Sequence, residues 1–241
     1  IYPHQVLHPD GIPGKGILSR YPLMETAQLD HHPGRPDLQG QVETPDGNLT
    51  VLVAHPPPPR FGRNRLHLDA LSNAQIRQII ASVSSGDPVV LLTDFNRLSW
   101  QAAYRQLSSA GLIDAYAVSG AGLGLTLPTR LAHPASRNTP LGKMPLPPIL
   151  RVDYVWHTRH FRATSSWVGQ NAGSDHLPVL ARLDQLLDDD MLFGEVRADL
   201  AQRYPHTQHT GRPSTPVEVI LRMIIVKHLY GWSYEETEYN V

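Results

Sequence analysis

Pro88-Val89-Val90-Leu91-Leu92-Thr93-Asp94-Phe95-Asn96 is the stretch that decides the fold. Four apolar residues in a row, bounded by a Gly86-Asp87 turn signal, read as a strand buried on both faces. Strands of that kind belong to layered α/β architectures. The run ends in two oxygen-bearing side chains, Asp94 and Asn96, two positions apart and able to serve one site at the strand's carboxyl end. Working outward, residues 48–54 are a second strand candidate after a Pro45-Asp46-Gly47 turn signal. Pro56 to Pro59 forbid its continuation, so His55 stands where strand becomes loop. Apolar residues at helical spacing predict a helix over 66–84 and another over 100–110, with further strands at 151–156 and 179–183. Strands interleaved with helices predict an α/β or α+β layered domain.

The chain has 241 residues, enough for one or two domains with a real core. Zero cysteines exclude disulfides, zinc–thiolate sites and cysteine nucleophiles. No apolar run is long enough to be a transmembrane helix, and no signal sequence opens the chain. The first residue is Ile1, which reads as a fragment whose natural beginning is missing. Net charge is −1, but it is unevenly shared. Up to Leu183 there are 16 Lys and Arg against 12 Asp and Glu, a balance of +4. From Asp184 there are 5 against 10, a balance of −5. That switch predicts two units of different origin, residues 1–183 and residues 184–241.

Polar clusters sit at the strand ends: His55, Thr93-Asp94-Phe95-Asn96 and Ser174-Asp175-His176. Asp153 lies inside an otherwise apolar strand, where a carboxylate is costly unless paired or metal-bound. Asp and Asn oxygens, with water and substrate phosphate, are the hard ligands Mg²⁺ accepts; Asp175 would add another. His176 is a candidate proton acceptor from water, and Asp153 could hold it in the right tautomer. Each cluster also has a plain structural explanation. Asp94 and Asn96 could form an Asx-turn, Asp153 could pair with Arg151, and the Asp175 to Pro178 run could simply be a turn.

The ordered set Gly16-Ile17-Leu18-Ser19-Arg20-Tyr21-Pro22, Val53-Ala54-His55, Thr93-Asp94-Phe95-Asn96, Arg151-Val152-Asp153-Tyr154-Val155-Trp156 and Ser174-Asp175-His176-Leu177-Pro178-Val179 resembles the endonuclease/exonuclease/phosphatase superfamily. The resemblance covers about residues 1–183. It implies a four-layer αββα sandwich of the deoxyribonuclease-like type, lacking its N-terminal strands, and divalent-metal-dependent hydrolysis of a phosphoester. Position by position, it assigns catalysis to His55, Asp94, Asn96, Asp153 and His176, and metal contacts to Asp94, Asn96 and Asp175. The implied ion is Mg²⁺, with Mn²⁺ as a substitute. The family's metal-binding glutamate belongs upstream of Ile1, so impaired activity is expected. A tryptophan often seen in the segment corresponding to Leu125-Thr126-Leu127-Pro128 is absent.

The tail, through Gly211-Arg212-Pro213 and Lys227-His228-Leu229-Tyr230-Gly231-Trp232-Ser233-Tyr234-Glu235-Glu236, resembles the N-terminal helical region of insertion-sequence transposases over about residues 188–241. Helices are expected at 186–204, at 216–230 and from Ser233 onward. Two outcomes follow. One is a phosphoesterase acting on a nucleic acid, a lipid-linked phosphate or a small phosphate ester, with Arg60, Arg63 and Arg65 as candidate phosphate grips. The other is a non-catalytic gene fusion whose helical tail binds DNA. A +4 balance is too small to indicate a nucleic-acid face by itself.

Overall fold

The computed structural model describes residues 2–45, 47–61, 66–67, 70–83, 86–130 and 144–185, and beyond these only positions 198, 202, 223, 227, 233, 235 and 236. The chain divides into two compact units, Ile1–Leu186 and Leu187–Val241. In the first, six strands form a mixed sheet in the order β3 (Leu23–Leu29), β4 (Asp37–Thr44), β5 (Gly47–Ala54), β8 (Val89–Asp94), β10 (Asp153–His157), β9 (Ile113–Asp114). β5 and β8 run parallel; β10 runs antiparallel to β8. Three two-stranded sheets complete the set: β1 (His4–His8) with β2 (Lys15–Ser19), β11 (Phe161–Val168) with β12 (Val179–Gln185), and β6 (Arg60–Phe61) with β7 (Leu66–His67).

Alternation along the central strands decides what covers each face. Leu52, Ala54, Val89, Leu91, Tyr154 and Trp156 point one way and form one buried cluster with Ile76, Ile79 and Val83 of helix α1 (Ala70–Val83) and Leu107 of helix α2 (Ala102–Ser109). The intervening residues point the other way. Val51 and Leu49 meet Ile17 and Val6 of the β1–β2 hairpin, while Val90 and Val155 meet Phe161, Val179 and Ala181 of the β11–β12 hairpin. The result is helices, a sheet, and a second strand layer made of two separate hairpins. Among the described residues no helix lies over the outer faces of those hairpins, which show Leu7, Leu18, Trp167 and Leu180 to solvent.

The observed elements differ from the sequence expectations at their ends. The helix expected from 66 begins at Ala70, because Leu66 and His67 pair with Arg60 and Phe61. The strand expected to end at Leu92 continues to Asp94, held by the pairing of Asp94 with Asp153. Strands β3 and β11 and the short helix α3 (Ala115–Ser119) carry no strong sequence pattern, being half-exposed or brief, while the mostly buried β4 is disguised by its polar residues Asp37, Gln39 and Gln41. In the second unit, the described positions 198, 202, 223, 227, 235 and 236 are helical. Ser233 and Glu236 exchange backbone-to-side-chain bonds of 2.8 and 3.2 Å, a capping box that starts the last helix. The rest of the expected tail helices, with Arg63 and Arg65, lies outside the described residues.

Candidate active site

Register alone brings three of the chemical residues to one end and one face of the sheet. Asp153 stands directly opposite Asp94, and Ala54 opposite Thr93, so His55 follows level with Asp94. All three project from the face that carries the hairpins, since they are an even number of residues from Val51, Val90 and Val155. His176 is delivered from the loop before β12. That loop is strung onto residues 126–129: Leu177 N donates to Thr126 O at 2.9 Å, Thr129 N to Asp175 O at 2.9 Å, and Thr129 Oγ1 to Ser174 O at 2.6 Å.

The side chains then meet around one carboxylate oxygen. Asp94 Oδ2 lies 3.3 Å from His55 Nε2 and 4.0 Å from His176 Nε2. His176 Nδ1 donates to Asp153 Oδ2 at 2.8 Å, which fixes the tautomer and turns Nε2 inward. Asn96 adopts a left-handed backbone (φ 51°), tolerable for asparagine, and its N–H donates to Asp94 Oδ1 at 3.2 Å. The Asx-turn and the site are therefore one structure. Asn96 Nδ2 donates to Pro56 O at 3.1 Å, leaving its Oδ1 as the free coordinating end.

Sequence reading missed Arg97, which is 1% exposed. Its guanidinium donates to Pro57 O, Asn96 O and Ser72 Oγ, while its own carbonyl accepts from the Tyr154 hydroxyl. It pins the loop after β8 to the loop after β5, and so holds His55 and Asn96 in register. A lone Arg among polar residues offers no periodic signal for such a role. Lys15, Arg35 and Asp37 also gather on the His55 side, from elements distant in sequence.

Electrostatics divides the two histidines. Burial, then the charges of Arg35, Lys15 and His176, push His55 down to about 4. The bond to Asp153 raises His176 above its ordinary value, against the effect of burial. Burial and the neighbouring Asp153 push Asp94 up to about 7, with Asp175 adding to the same effect. A half-buried carboxylate whose charge is opposed by two others is the chemistry of a cation site. Asp94, Asp153 and His176 offer ligand atoms within 4.8 Å of one another, so the residues fit a divalent ion. Asp175, expected as a ligand, falls outside that close group. Its side chain lies 3.4 Å from Ser174 Oγ, and its charge still acts on Asp94 and His176.

Over residues 2–176 the sequence matches the Endonuclease/Exonuclease/phosphatase family, and the chain belongs to that family. Residues 169–241 match a transposase domain (DUF772). No curated protein matches the chain in sequence. Among solved structures, it resembles a mannosyl-6-phosphatase of Bacteroides thetaiotaomicron VPI-5482, with TM-score 0.53, 15% identity, and coverage of 76% of this chain and 78% of that one. It also resembles a 3′ phosphatase from Neisseria bound to a product DNA hairpin, with TM-score 0.52, 16% identity, and coverage of 75% and 79%. Against an endonuclease/exonuclease/phosphatase from Beutenbergia cavernae DSM 12333 the TM-score is 0.48 at 19% identity. There it covers 71% of this chain and spans 47% of the other protein's length. The α/β sandwich expected from the sequence is the fold shared with the mannosyl-6-phosphatase and the 3′ phosphatase.

Proposed function

We propose that the first unit hydrolyses a phosphate ester with the help of a divalent cation, Mg²⁺ or Mn²⁺, at Asp94, with Asn96 and Asp175 contributing and His176 left free as the base. The observation that carries the reading is the convergence of His55 and His176 on one oxygen of Asp94, with His176 tethered to Asp153. When bound, the cation supplies positive charge against the phosphoryl oxygens. His176, protonated on Nδ1 by its bond to Asp153, presents Nε2 as the base that takes a proton from the attacking water. His55, neutral across the physiological range, offers a ring N–H to the negative charge that develops on phosphorus-bound oxygen. Asn96 Oδ1 orients the water or the cation's hydration shell. Asp153 is spent on His176, which leaves Asp94 as the main uncommitted carboxylate, and we expect cation binding to be weak and turnover low.

Residues 187–241 are, on this reading, a transposase-derived segment with DNA as its partner, supported by the match over 169–241. Its presence is also what keeps a non-catalytic fusion product as the rival reading. The test is hydrolysis of bis(p-nitrophenyl) phosphate and p-nitrophenyl phosphate by the whole chain, with Mg²⁺, Mn²⁺ or EDTA. Metal-dependent turnover that His176→Gln removes supports the proposal. Turnover insensitive to EDTA or to His176→Gln sinks it, and none at all with either metal favours the rival.

A further inference from the structure

The β4–β5 register places a second group of charges beside the site. Leu38 pairs with Val53, so, one and two positions further along, Asp37 stands level with Ala54 and Pro36 with His55. Lys15 Nζ donates to the Pro36 carbonyl at 2.9 Å and to the Pro13 carbonyl at 3.1 Å, which fixes an ammonium on the His55 side of the sheet end. Arg35 immediately precedes Pro36, and its charge reaches Lys15, whose pKa is lowered chiefly by burial, with Asp37 acting against that and Arg35 adding to it. Asp37 would be the natural counter-ion, but its oxygens are already taken. His31 Nδ1 donates to Oδ2 at 3.0 Å, and Gln75 Nε2 reaches Oδ1 at 2.9 Å and Oδ2 at 3.2 Å. Among the described residues no carboxylate lies within ion-pair distance of Lys15 or Arg35. Arg35 Nη1 is buried and has no hydrogen-bond partner.

A buried guanidinium nitrogen without an acceptor is costly, and it is relieved by an anion. Lys15 also lines a surface cleft with His8, Asp10, Gly11 and Gly14, and Asp10 there is 61% exposed and faces His8. Two cations short of counter-charge, one a planar fork, suit the oxygens of a phosphate.

We propose that Lys15 and Arg35 form a subsite for a second phosphate of the substrate, next to the ester that is cleaved. The inference rests on the phosphoesterase reading for what the first phosphate does. A substrate with two neighbouring phosphates is either a nucleic-acid backbone or a small bisphosphate, and the chemistry at this subsite is the same for both.

Calorimetric binding to the whole chain tests it, with thymidine 5′-monophosphate and thymidine 3′,5′-bisphosphate as probes. A charge-assisted hydrogen bond is worth about tenfold or more in affinity, so the bisphosphate should bind at least about tenfold tighter. Arg35→Met and Lys15→Met should each bring that ratio toward one while leaving the monophosphate unchanged. A ratio near one in the parent chain, or a ratio that both variants leave intact, overturns the subsite. His176→Gln is the separate control. If metal-dependent hydrolysis of p-nitrophenyl phosphate survives it, the reading of the cleavage centre fails, whatever the ratio shows. A thymidine tetranucleotide separates the sources. Weakening of its binding by Arg35→Met assigns the backbone, whereas weakening of the bisphosphate alone assigns a small molecule.

Discussion

Replacing Asp94 by Asn should stabilise the metal-free protein at alkaline pH while removing its response to cations. The folded protein holds Asp94 at about 7 against an ordinary 3.8, so between those values the native state binds the proton more tightly than the unfolded chain. Stability is therefore lost as pH rises through that window. The interval corresponds to about 4 kcal/mol, an upper figure because the side chain is 23% exposed. His55 acts in the opposite sense. Its folded value of about 4 lies below 6.5, so stability is gained as pH rises from about 4 to 6.5. In the parent chain the two slopes nearly cancel up to 6.5, and above it the Asp94 loss continues alone with that of the raised His176. In Asp94→Asn the Asp94 loss is gone while the His55 gain and the smaller His176 loss remain, and Oδ1 can still accept from Asn96 N. The variant should thus match the parent near pH 4 and exceed it by about 2–4 kcal/mol at pH 8. Urea unfolding of the first unit, followed by fluorescence of the fully buried Trp156, reads this directly. Millimolar Mn²⁺ should raise the parent's midpoint and leave the variant's unmoved. A variant less stable than the parent at pH 8, or equally stabilised by Mn²⁺, refutes the claim that Asp94 is a strained carboxylate awaiting a cation.

Asp153→Asn removes the main cause of the raised His176 pKa, so the pH at which activity rises should shift downward while the plateau rate falls about 100-fold; a pH–rate profile with an unmoved limb disproves the coupling. Thr129→Val deletes the 2.6 Å bond to Ser174 O and should cost about 1–2 kcal/mol together with a lower kcat, since it loosens the loop carrying His176; unchanged kcat in the folded variant counts against that role. Ending the chain after Leu186 should leave the unfolding midpoint and Mn²⁺ response of the first unit as they are, because β12 ends at Gln185; aggregation of the shortened chain contradicts this.

The central layer was readable because its physics is local. Four apolar residues after Pro88 and the proline block after His55 mark strands and their ends without any knowledge of partners. The carboxylates beyond Leu92 could likewise be placed at a strand end from spacing alone. What pairs with what was not readable. That Asp153 faces Asp94 depends on β10 running antiparallel to β8, and nothing in either segment encodes direction. The same holds for Lys15, Arg35 and Asp37, which reach the His55 side only through the β2 and β4 registers. Arg97 is buried by its bonds to the loop after β5 and to helix α1, an outcome that no hydropathy pattern records. Thr126, in a segment first notable for lacking a tryptophan, is fully buried and accepts from Leu177 N through its carbonyl.

Leu7, Leu18, Trp167 and Leu180 face outward from the two hairpins, on the layer opposite α1 and α2. Handling of the protein follows from this. These side chains stay 38–54% exposed, so they gain only part of the burial of a core residue and make the hairpin side adhesive toward other molecules. Leu18→Thr and Leu180→Thr introduce the β-branched side chain that strands favour and remove apolar area from that surface. Neither position contributes a group to the cluster around Asp94. A soluble variant made this way should display the same chemistry as its parent, which turns a preparative nuisance into a convenient background for every measurement above.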